Sequence, residues 1–387
     1  MFQGKYIFAQ LVSFLDRNRF NYIVRKYNGD KYVKHFTCWN QLLVMMFGQL
    51  SNRVSLRDVV LALQAHRDKC YHLGVGQKIT KSNIAKANIN RDYRIFEEYA
   101  YLLVSEAQQR RNVDIFKLGG KVYAFDSTTI DLCLSVFWWA KFRKAKGGIK
   151  VHTLFDAETQ IPTLFHITEA SVNDVNAMDA ISYETGAYYI FDRGYNDFSR
   201  LHNITLIDAY FVVRAKKNIQ YKTIKWRRRL PKNILCDRTI EFTIYKSQKD
   251  YPTPLRLVKF WDEEQQREFT FLTNAFHIDS TQVANLYKNR WQVELFFKWL
   301  KQHLKIKRFW GESENAVRIQ VYSAMITYCL IAIIQNDLRL THSIYETLQI
   351  LSISLTDKTN LQDLFDKTKF QNIKEHSGYS EPNLFNF

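Results

Sequence analysis

YKNRWQVELFFKWLK, residues 287–301, contains neither Pro nor Gly and repeats its apolar residues at helical spacing, so it reads as one helix. At 100° per residue, Tyr287, Arg290, Glu294, Lys298 and Lys301 fall within an arc of roughly 80°. Val293, Phe296, Phe297, Leu300 and Leu304 form an adjacent stripe that should face a core. One carboxylate therefore stands among three cations and a phenol on a helix anchored by aromatics. A carboxylate can hold a metal, and cations beside it can hold the phosphates on which that metal acts. The same pattern also fits a solvated face, since Arg290–Glu294 and Glu294–Lys298 are ordinary i,i+4 pairs.

Upstream carboxylates bear on the choice. The texture of the chain changes at Gly119-Gly120, where KVYAFDSTTIDL reads as a strand running into Asp126. AYYIFDRGYNDF is a second strand, ending at Asp192, and HTLFDAETQIPTLFHIT between them reads as a hairpin turning at Asp156–Gln160. SVNDVNAMDAI begins a helix, with Asp174 as its N-cap. Carboxylates at strand ends of an α/β sheet lie where ligands bind. Two aspartates and a helical glutamate can bracket two Mg2+ ions about 3.5–4 Å apart, the arrangement of phosphodiester chemistry. Either aspartate alone is more often a turn former or helix cap than a ligand.

The composition suits such a substrate. The chain has 387 residues, 46% of them hydrophobic and 15% aromatic, which excludes a disordered chain. Lys and Arg number 55 against 38 Asp and Glu, a net charge of +17, which points to a polyanionic partner. Aromatics interleaved with the cations favour nucleic acid over a membrane surface. The five cysteines are scattered with no C-x-x-C pair, so neither zinc nor a disulfide framework is indicated, and a reducing cytoplasm fits. No signal-peptide layout opens the chain. The apolar run Val321–Ile334 is too short to span a bilayer and reads as a buried helix.

Residues 1–115 read as helical, with helical spacing over Phe8–Leu15, Trp39–Leu50 and Leu56–Ala65 and an N-cap at Ser55. A Gly-containing turn at 72–76 and the polar, basic KITKSNIAKANIN follow, an order compatible with helix-turn-helix docking on DNA through Lys81, Lys86 and Arg91. This segment holds 18 Lys/Arg and 9 Asp/Glu, hence +9 of the net charge. An ordinary helical domain with a basic face fits as well. Residues 206–275 alternate as strands and read as a β-rich insertion, a long helix lies around Ala316–Leu338, and a polar end covers 371–387.

Together these residues resemble a DDE transposase of the insertion-sequence-4 family, whose signature is Tyr, two residues, Arg, three, Glu, six, Lys. Tyr287, Arg290, Glu294 and Lys301 meet every spacing, and FDSTTIDL and FDRGYNDF resemble the family's two aspartate strands. The resemblance implies an α/β fold: an RNase H-like core over 116–205 and 276–340, interrupted by the β-rich insertion at 206–275. The helical DNA-end-binding domain, 1–115, would precede it and a helical tail, 341–387, follow. It implies Asp126, Asp192 and Glu294 as the catalytic, metal-binding triad for two Mg2+ ions, with Mn2+ able to substitute. Tyr287, Arg290, Lys298 and Lys301 would hold phosphates. It implies cut-and-paste movement of an insertion sequence through a hairpin intermediate, terminal inverted repeats and target DNA as partners, a synaptic homodimer, and a bacterial, nucleoid-associated location. In relatives an aromatic residue of the insertion stacks on a flipped base; Trp226 and Trp261 are the candidates, and strand packing fits both. A transposase-derived DNA-binding protein without catalysis and a metal-dependent nuclease of another role are the alternatives.

Overall fold

The computed structural model describes residues 4–76, 79–111, 115–132, 137, 139–143, 146–303 and 309–367. The first part is helical: α1 (Ile7–Val12), α2 (Arg17–Lys26), α3 (Cys38–Leu50), α4 (Leu56–Ala65), α5 (Lys81–Asn90) and α6 (Arg94–Arg110). Local chemistry sets their starts. Thr37 and Asn40 form a capping box on α3, and Ser55 caps α4 as its sequence suggests. α2 lies outside the stretches singled out by helical spacing, yet its buried Phe20, Ile23 and Val24 keep that spacing, and the Asp16 side chain caps it.

The centre is one mixed sheet of ten strands: β1 (Val122–Leu132), β2 (Lys141–Arg143), β3 (Lys146–Asp156), β4 (Ile161–Glu169), β5 (Tyr188–Phe191), β6 (Tyr210–Arg214), β7 (Tyr221–Trp226), β8 (Ile234–Phe242), β9 (Leu255–Asp262) and β10 (Arg267–Thr273). The order is β2-β3-β1-β5-β6-β10-β9-β8-β7, with β4 also on β3. The β3–β4 hairpin turns where expected, with Gln160 at φ 58° closing it. β1 runs antiparallel to β3 but parallel to β5, and β5 parallel to β6. Between β4 and β5 the expected helix is a short 3-10 segment, Asp174–Ala180, capped by Asn173 rather than Asp174.

Two differences from the sequence reading concern the insertion. Its first strand, β6, is a parallel member of the central sheet, so the expected boundary at 206 falls too early. The strands that follow are also not a detached subdomain. β10 pairs antiparallel with β6 from Thr273↔Val212 to Phe271↔Arg214, so β7–β10 prolong the same sheet. α7 (Phe198–Leu206) and α8 (Tyr245–Asp250) lie within this half of the chain.

After β10 come α9 (Ser280–Lys288), α10 (Trp291–His303), α11 (Glu314–Asp337), α12 (Ile344–Ser354) and α13 (Leu361–Lys367). The apolar run expected to be too short for a bilayer belongs to α11, 24 residues long, and its apolar window is 94% buried inside the protein. α11 packs against α3, α5, α6, α12 and β4. One apolar core contains side chains of α1–α6, β1, β3, β4 and α10–α13. The helices before residue 115 thus share their core with the C-terminal helices. Leu304 and the polar end 371–387 lie outside the described residues.

Candidate active site

The single helix expected over 287–301 is broken. α9 begins with a capping box of Asp279 and Gln282 and stops at Lys288; α10 starts at Trp291. At the break the Asn289 side chain donates to the Asn285 carbonyl at 2.7 Å and accepts from Gln292 at 3.0 Å. Asn side chains compete with helix hydrogen bonds in this way. The Arg290 and Val293 amides donate three residues back, to Tyr287 and Arg290, so the backbone tightens through the turn.

This turn aims Arg290 inward, leaving its side chain 14% exposed. Its guanidinium donates to Asp126 Oδ2 at 2.8 Å and to Glu294 Oε1. Tyr287, at the end of α9, packs its ring against Phe271 and Phe269, at 4.6 and 5.9 Å, and donates its hydroxyl to Asp192 Oδ1 at 3.0 Å. The stripe Val293, Phe296, Phe297 and Leu300 is buried as expected and seats α10 beside β1.

Asp126 is not at the end of its strand: it lies in the middle of β1, opposite Thr153 of β3. Yet the parallel ladder to β5 stops at Phe125↔Phe191, so Asp126 and Asp192 leave it side by side at its carboxyl end. The Ser127 amide donates to Asp126 Oδ1 at 2.8 Å. Burial pushes Asp126 up to about 6, against the pull of Arg290 and that amide. Burial acts the same way on Asp192, but Arg290, the Arg193 amide, the Tyr287 hydroxyl and Arg214 together hold it below the usual range.

Of the seven residues singled out in the sequence, the structure brings five together: Asp126, Asp192, Tyr287, Arg290 and Glu294. Lys298 is exposed one turn beyond Glu294, beside a cavity of about 510 Å3 lined by Trp291, Leu295, Phe296 and Tyr345. Lys301 is half-buried a turn further on. Trp226 stands 59% exposed on β7 and stacks under the guanidinium of Arg238, its directly opposed neighbour on β8, 3.8 Å from its ring centre, so cross-strand packing accounts for its position.

Sequence reasoning missed the support behind Asp126. The Ser127 hydroxyl donates to Asp174 at 2.8 Å, and Lys150 pairs with Asp174 at 3.2 Å. Asp174 is therefore a relay between β1 and β3 rather than a helix cap. The adjacent Ser in FDSTT is the visible signal; Lys150 carries none.

In kind, three carboxylates with amide and phenol donors behind them suit a hard divalent cation. In placement they do not yet: among the described residues no three Asp, Glu, His or Cys side chains stand close enough to hold a metal ion. The Arg290 guanidinium spans Asp126 and Glu294 instead.

Carboxylates at the end of a parallel ladder place the chain among α/β proteins whose ligands bind beyond the strand termini. Residues 117–330 match the family model described as the transposase DDE domain, and residues 3–76 match a domain of unknown function. The Sinorhizobium fredii protein y4zB, named as a transposase, is 36% identical over 265 residues, 67% of this chain and 72% of that protein. A Geobacillus stearothermophilus protein, named as a transposase for insertion sequence element IS5377, is 28% identical over 65% of this chain and 66% of its own. A Synechocystis protein, named as a transposase for IS4SA, is 26% identical over 67% and 73%. The chain belongs to the DDE transposase family, enzymes of DNA cleavage and transfer that generally use divalent metals.

Proposed function

We propose that this transposase moves an insertion sequence by cut-and-paste, using Asp126, Asp192 and Glu294 as its triad. The observation that carries the reading is their convergence, with Tyr287 and Arg290, at the end of the β1–β5 ladder. The three carboxylates would hold two Mg2+ ions, or Mn2+, which supply an activated water or 3′-hydroxyl and stabilise the leaving oxygen. Arg290 is a planar, bidentate donor suited to a phosphate once it leaves its carboxylates. Lys298 and Lys301 add point charges along α10, and Tyr287 orients Asp192 through its hydroxyl. Cleavage at terminal inverted repeats, a hairpin intermediate, transfer to target DNA, a synaptic dimer and a place at the bacterial nucleoid follow from the same reading.

The test is to replace Asp126, Asp192 or Glu294 by Ala one at a time. Each variant should lose nicking and strand transfer while binding the element's ends within a few-fold of wild type. Near-wild-type cleavage by any of them removes that residue from the triad. Cleavage without strand transfer by the wild type would favour a nuclease of another role.

A further inference from the structure

The segment 27–37, between α2 and α3, is built as a platform. α2 closes with Asn28 at φ 52° and the Gly29 amide returning to the Val24 carbonyl at 2.9 Å, a Schellman ending. Gly29 is required by close packing: a Cβ there would meet Ile95 at 2.5 Å and Cys38 at 2.8 Å. From beneath, the buried Arg91 donates to the carbonyls of Phe36 and Thr37 and to Gln41, and Asp30 accepts from the Cys38 amide at 2.7 Å. Arg91, expected from the sequence to touch DNA, is thus the strut of this platform.

Above the strut, Lys31, Tyr32, Lys34 and His35 are exposed. Tyr32 is 91% exposed at φ 62°, a backbone region a tyrosine rarely takes, with the Lys31 ammonium 5.3 Å from its ring centre. Asn83, Lys86 and Asn90 of α5 form the opposite wall of a cleft of about 590 Å3. The acids nearby are already committed. Asp92 is held by two nitrogens of Arg94 at 3.0 and 2.5 Å, and Asp30 by the Cys38 amide and Arg91. Lys31, Lys34 and Lys86 form no ion pair with a described residue. Three uncompensated ammonium groups on both walls of a rigid polar cleft, with amide donors between them, match a row of phosphates.

We infer that this cleft, between the 27–37 segment and α5, holds the phosphodiester backbone of one strand of duplex DNA. The inference rests on the reading that the chain acts on DNA. It moves the contact from a recognition helix alone to a cleft whose other wall is the 27–37 segment. A lipid surface fits less well, because the lysines line the two walls of a concave cleft rather than one flat face.

The experiment uses the full chain with Lys31→Gln, Lys34→Gln and Lys86→Gln combined. Binding to a fluorescein-labelled 30-base-pair duplex is followed by anisotropy across a NaCl series. Each phosphate contact contributes about 0.9 to the slope of log affinity on log salt, so the variant should lose roughly 2–3 from that slope and at least about tenfold in affinity near 0.1 M salt. An unchanged melting temperature shows that the fold is kept. If the triple variant melts early, Lys34→Gln and Lys86→Gln, on opposite walls, should each lose about one unit. Unchanged slope and affinity overturn the inference. So does an RNA duplex that binds more tightly than DNA and loses that binding in the variant. A wild type that binds but never cleaves, with the slope still lost in the variant, would sink the catalytic reading and leave the cleft standing.

Discussion

Arg290 is an internal counter-ion to the carboxylates it would have to release. A metal must compete with two charge-assisted hydrogen bonds, interactions worth about 1.5–3 kcal/mol each. From its motif alone Arg290 is a phosphate ligand whose removal leaves metal binding untouched. The geometry predicts otherwise: without DNA, Arg290→Ala should bind Mn2+ at least about tenfold more tightly than wild type, read by electron paramagnetic resonance titration. Equal affinity would mean that the ion pairs offer no barrier. A pH series adds the second expectation. Burial raises Asp126 to about 6, and a proton and a metal compete for the same oxygens. Affinity should be flat above that pH and fall below it, by up to about tenfold per unit; Asp126→Asn should remove the dependence on this group. The spacing of Tyr287, Arg290, Glu294 and Lys301 is legible in the sequence. The inward turn of Arg290 is not, because it depends on one side chain, Asn289, closing a helix that apolar periodicity alone continues.

At the scale of elements, the strands and hairpin turn are legible because side chains alternate and turn residues interrupt them. The pairing of β10 with β6 is not, since alternation says which face a strand buries but not which partner it takes. One buried ion pair fixes that half of the sheet. Arg256 and Asp237, 1% and 3% exposed, meet through two hydrogen bonds of 3.0 and 2.7 Å, and Arg256 also donates to the carbonyls of Ala275 and Ile278 ahead of α9. Asp237→Ala strands a buried guanidinium and should cost about 3–5 kcal/mol. Glu268→Ala, breaking the exposed pair with Lys259, should cost no more than about 1 kcal/mol. Urea melts of the two variants give the comparison; similar midpoints would show that the buried pair is dispensable.

At the scale of the molecule, the change of texture near residue 119 separates helices from sheet, but chain order conceals who shares the core. Gln49 on α3 donates to the Gln320 carbonyl and accepts from Thr327, both on α11 and all buried. A fragment ending at residue 115 would expose the apolar faces that α11 covers. It should melt without cooperativity and bind a hydrophobic dye, and a sharp, dye-free transition would show that those helices stand alone. The same shared core has a consequence for synthesis. When Arg110 leaves the ribosome, α11 does not yet exist. At 5–20 residues per second, Asp337 follows roughly ten to forty-five seconds later. Through that interval the nascent helices must wait, open to chaperones and proteases, while the whole sheet is made and the helix that covers their apolar faces is still to come.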